Sequence, residues 1–102
     1  MKWLEVIKLR STANVSDLVD EYLLPMVEAL NESAVELKIY RQAGLDTDVS
    51  VHLHWSSDLP ELKGSALGLH LAQALKEFGL VDHSVWIEEN REQMRTKDRS
   101  GI

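Results

Sequence analysis

Apolar and polar positions divide the chain into six periodic stretches joined by polar loops. Trp3 to Leu9 reads as a strand with apolar groups on both sides, Leu4 and Val6 on one, Trp3, Ile7 and Leu9 on the other. A strand covered on both faces is usually central in its sheet. Ser11 to Val15 is a short loop. Asn14 or Ser16 is placed to cap the next helix, and Asp17, Asp20 and Glu21 put acid near its start. Leu18, Tyr22, Met26 and Leu30 recur every fourth residue, and Val19, Leu23 and Val27 widen that stripe, which predicts a helix to about Leu30. Pro25 lies inside the pattern. It lacks an N–H donor, so a kink or a split is expected there, either simply tolerated or serving a mobile segment over a pocket.

Val35 to Arg41 alternates cleanly: Val35, Leu37 and Ile39 point one way, Glu36, Lys38 and Tyr40 the other. Gly44 to Asp48 is a turn, with Gly44 free to take a positive φ. Val49 to Trp55 alternates again, with Val51, Leu53 and Trp55 opposite Ser50, His52 and His54. The two strands can pair antiparallel across this short connection. Ser56 to Gly64 is a polar loop, and a second helix is expected over Ser65 to Phe78, burying Leu67, Leu71, Ala74, Leu75 and Phe78, with Gly79 as its C-terminal cap. Leu80 to Glu88 is the last strand: His83, Val85 and Ile87 alternate with Ser84, Trp86 and Glu88.

The element order is therefore β–α–β–β–α–β. Right-handed crossovers place four strands in one antiparallel sheet with both helices on one face, the ferredoxin-like α+β arrangement. Its central strands are the first and third. Residues 1–88 form the expected single domain. Residues 89–102 lose all periodicity and are polar and mixed in charge, as in a flexible tail or an arm laid across a partner.

Composition narrows the picture. A chain of 102 residues suits one domain. At this size only about 60–65% of the extended surface is buried on folding, so pairing would add useful burial. Strands one and four carry apolar side chains on both faces while the helices cover only one, which predicts a homodimer. The net charge of −6 argues against nonspecific binding to nucleic acid or anionic membrane. The absence of cysteine removes disulfides, thiolate catalysis and thiolate metal sites. No apolar run approaches the 18 or so residues of a membrane span and no signal-like block opens the chain, so a cytoplasmic location is expected.

Candidate chemistry centres on His52 and His54, which point to the same side of a strand, about 6–7 Å apart. They can be polar residues on a sheet face, proton-handling groups, or two ligands of a metal completed by Glu36, Glu5 or His83. No bound metal or cofactor is expected. Tyr40 should share their face, supporting either substrate binding or a dimer contact. His70 borders the buried stripe of the second helix, and His83 lies on the last strand; each can be a satisfied boundary residue or reach a cavity between helix and sheet. Trp3, Trp55 and Trp86 can serve as core, interface or ligand platform. Gly64, Gly68 and Gly79 do not form a phosphate loop; Gly68 reads as a close-packing position or an opening for a ligand, and Ser65 as a helix cap.

The element order, the apolar outer sheet face, and the Leu67 to Trp86 stretch resemble the dimeric α+β barrel superfamily. That stretch has a Leu/Ala helix ending at Phe78–Gly79, then His83 and Trp86, and looks like the second half of antibiotic-biosynthesis-monooxygenase-type domains. The resemblance implies subunits paired face to face around a pocket for a small aromatic compound. It further implies cofactor-independent monooxygenation; the residues themselves, by face and chemistry, make His52, His54 and Tyr40 the catalytic candidates and Trp86, His83, Trp55 and His70 the ligand-site candidates. A noncatalytic dimerisation or protein-interaction domain is the alternative.

Overall fold

A computed structural model describes residues 1–12, 14–30 and 36–89 of the protein. Strand β1 spans Lys2–Ser11, β2 Glu36–Arg41, β3 Asp48–Ser56 and β4 Gly79–Ile87. Helix α1 occupies 16–30, and α2 spans Ala66–Leu75. The four strands form one sheet in the order β2-β3-β1-β4, every neighbouring pair antiparallel. This is the ferredoxin-like βαββαβ topology, with β1 and β3 central as their apolar character requires. The sheet is open, and β2 and β4 are its edges.

Both helices cover one face. Ile7 and Leu9 from β1 and Val49, Val51 and Leu53 from β3 meet Leu23 of α1 and Leu71 and Leu75 of α2 in a single core. Each such side chain taken from water contributes about 1.5–3 kcal/mol before entropy is counted. Tyr22 and Phe78 touch at 5.3 Å between ring centroids, joining α1 to the end of α2. Asn14 starts α1 by accepting a bond from the Ser16 N–H, 2.8 Å long. In the turn after β2, Gly44 takes φ +84°, as anticipated.

Pro25 does not break α1. The helix is α-helical at Ser16–Leu18, widens to a π-helical turn at Val19–Leu23, and resumes at Leu24–Leu30. A proline removes one donor and crowds the carbonyl four residues back, here that of Glu21. The wider turn ends with the Leu24 N–H bonded to the Val19 carbonyl, immediately before the proline. Helix α2 is shorter than its periodicity suggested. Its last turn tightens, with the Lys76 N–H on the Gln73 carbonyl and the Phe78 N–H on that of Leu75. Gly79 is therefore no helix cap. It opens β4 opposite Ser11, and a Cβ there would overlap the Arg10 carbonyl oxygen. Val35 and residues 90–102, nearly all of the predicted tail, lie outside the described residues.

Candidate functional site

Antiparallel register fixes which side chains share a face, because directly opposed residues point the same way. His54 stands between Leu4 and Glu36, His52 between Val6 and Lys38, and Ser50 between Lys8 and Tyr40. On β4, Trp86 opposes Leu4, Ser84 opposes Val6, and Asp82 opposes Lys8. These residues all lie on the face the helices leave open. His52, His54 and Tyr40 are thus brought together, with the Tyr40 and His52 rings 4.6 Å apart and the two imidazoles 6.4 Å apart.

His83 and Glu5 are on the other face, under the helices, so neither can join His52 and His54 around a metal. The reason is the two-residue period: Glu5 is in phase with Trp3 and Ile7, and His83 with Val85 and Ile87. Among the described residues no group of three or more His, Asp or Glu side chains is arranged to hold a metal ion. His70 is exposed on α2 and lines neither groove described below.

Glu5 is fully buried, and its carboxylate organises the helix-covered end of the sheet. Oε1 receives the Ser65 backbone N–H at 2.8 Å and lies 2.9 Å from His83 Nε2, the donor against a carboxylate. Oε2 receives the Trp55 indole N–H at 2.7 Å and the Ser65 hydroxyl at 2.5 Å. Ser65 also accepts from the Gly68 N–H, which makes it the cap of α2. A Cβ at Gly68 would overlap Glu5 Oε1, and one at Gly64, where φ is +102°, would strike the His83 ring. Both glycines exist to let the chain close around the carboxylate. Trp55 stacks on Trp3 with centroids 5.5 Å apart, and Trp3 donates to Ser57 at 2.8 Å. Trp55, His83 and Ser65 are therefore bound into one structural clamp between α2 and three strands. A carboxylate at an interior position of an apolar strand was the sequence signal for it.

The open face differs. Trp86 is 60% exposed and Tyr40 46%, although both sit on strands. The Trp86 N–H donates to Ser84 Oγ at 2.8 Å, which holds the indole against the sheet. His52 Nε2 lies 2.8 Å from Ser50 Oγ. Partial burial lowers the His52 pKa below 6.5, aided by the charges of His54 and Lys8. The ring therefore stays neutral at pH 7 and retains a basic nitrogen. His54 Nε2 is buried yet meets no hydrogen-bonding group among the described residues. Such an atom costs free energy unless something else satisfies it.

Two grooves flank this row. One, of about 420 Å³, is lined by Leu4, Glu36, His54, Trp55 and Trp86. The other, of about 380 Å³, lies towards the opposite end of the strands beside Lys8, Arg10, Tyr40, Ser50, Leu80 and Asp82. Both fall in the range of small-molecule sites. No protein-family model, no curated protein and no solved structure matches this chain.

Proposed function

We propose that the protein works as a homodimer whose open sheet faces enclose a site for a small, partly apolar and aromatic molecule at the His54–Trp86 groove. The observation that carries this reading is the buried, unpartnered His54 Nε2 beside an exposed indole. A planar ligand stacked on Trp86 with a hydroxyl directed at His54 would satisfy that nitrogen and cover the ring. A second copy is the cover favoured by charge. Lys2, Lys8, Arg10 and Lys38 on the open face are matched by Glu36, Asp48, Asp82 and Glu88, so the face is balanced although the chain carries −6. Two such faces meet without net repulsion.

In its enzymatic form the reading is the one the resemblance implied, a cofactor-independent monooxygenase. His54 or neutral His52 would take the proton of a phenolic substrate, and Tyr40 would shape the site. The alternative, a noncatalytic dimerisation module, is favoured by the His52–Ser50 and Trp86–Ser84 bonds, which satisfy those side chains without a ligand. Titration of hydroquinones followed by imidazole NMR separates the two. The ligand-binding form predicts saturable shifts of His54 that H54Q abolishes, and histidine-dependent oxygen uptake if the protein is an oxygenase. Histidine resonances unmoved by millimolar ligand would contradict a site at this groove.

A further inference from the structure

We propose that the second groove of the open face, at the Tyr40 end, binds a small monocarboxylate with an apolar body, its carboxylate on the Lys8 ammonium. The inference shares with the preceding one only the premise that the open face is the binding face. Three basic side chains border this groove, and two are already engaged: Arg10 lies 3.6 Å from Asp48, and Arg41 donates to Ser16 at 2.9 Å. Among the described residues Lys8 forms no ion pair, even with Asp82 directly across the strand pair. Its charge is nonetheless felt on the face, since it helps depress the pKa of His52.

The walls define the rest of the ligand. Tyr40 offers a ring held at 4.6 Å against His52, and Leu80 is 76% exposed. Those groups suit an aryl or short alkyl body. Asp48 and Asp82 on the same lining disfavour a phosphate or any polyanion, because like charges at close range are repelled. Lys8, Arg10 and Arg41 against Asp48 and Asp82 leave the lining one positive charge in excess, which a single carboxylate cancels.

Benzoate and its neutral isostere benzamide test the assignment, with chemical shifts read at Tyr40, Ser50, His52 and Leu80. Several charged or titratable groups face His52: Lys8 on β1, Lys38 and Tyr40 on β2, and His54 on its own strand. Of these, Lys8 and Tyr40 line the groove, and Lys8 is the cation among them. Benzoate should bind about tenfold or more tighter than benzamide, as expected for one charge-assisted contact. It should also raise the apparent pKa of His52 by offsetting the Lys8 charge. K8M, at an exposed position, should fold normally and remove the preference. Equal binding of the two compounds, no binding of benzoate, or a preference that survives in K8M would overturn the assignment. The benzoate preference and its loss in K8M involve no contact with His54, so failure here is distinguishable from failure of the His54 groove.

Discussion

Replacing Glu5 by glutamine probes the clamp with almost no change of shape. The carboxylate accepts from the Trp55 indole, the Ser65 amide, the Ser65 hydroxyl and His83. A carboxamide keeps one oxygen and presents an NH₂ in place of the other. If the NH₂ replaces Oε2, the Trp55 N–H loses its acceptor; if it replaces Oε1, the Ser65 backbone N–H does. The Ser65 hydroxyl can rotate and His83 can change tautomer, but those two N–H groups are fixed by ring and backbone. Either orientation therefore leaves at least one buried donor unpaired, at about 1–3 kcal/mol, and weakens the remaining bonds by removing the charge. The expected loss is about 2–4 kcal/mol out of the roughly 5–15 kcal/mol available to a domain of this size. Urea unfolding followed by tryptophan fluorescence and far-ultraviolet circular dichroism measures it, with Trp55 reporting from inside the clamp. A loss below about 0.5 kcal/mol would refute the view that an ionised Glu5 holds α2 to the sheet.

Gly68→Ala sets helix propensity against packing. Propensity alone predicts a gain of about 1 kcal/mol, but overlap with Glu5 predicts a net loss, and thermal melts give the sign. Trp3→Ala should cost about 3–5 kcal/mol in urea melts, because the ring is buried and stacked on Trp55. Trp86→Ala should leave the stability of the isolated fold nearly unchanged while weakening self-association, readable by sedimentation. His52 has a folded pKa below its unfolded value, so the unfolded chain binds the extra proton first as pH falls. Its contribution is complete above the unfolded pKa near 6.5 and is lost as pH falls through the lower folded value. H52Q should therefore flatten the wild-type decline of stability with falling pH in that window.

The alternation of Val49 to Trp55 and the doubly apolar first strand carried enough information to order the sheet and to put His52, His54 and Tyr40 on one face. Period two is a property of the backbone, and short range suffices to read it. The clamp was less legible. Glu5, Ser65 and His83 are far apart in sequence, and each alone reads as a surface group, a cap or a boundary histidine. Only the fold shows that the four donors converge on one carboxylate and that Gly64 and Gly68 make space for it. The phase of Glu5 within an apolar strand was the available clue. The π-helical turn before Pro25 was legible only as a disturbance, because a lost donor can be accommodated by a kink, a break or a wider turn.

Sedimentation equilibrium of the whole chain at micromolar concentration bears most directly on the open face as the working surface. A species of twice the 11.6 kDa chain mass, reduced to one chain by charge reversal of Lys38 together with truncation of Trp86, is the expected result. A single 11.6 kDa species at every concentration tested would contradict it.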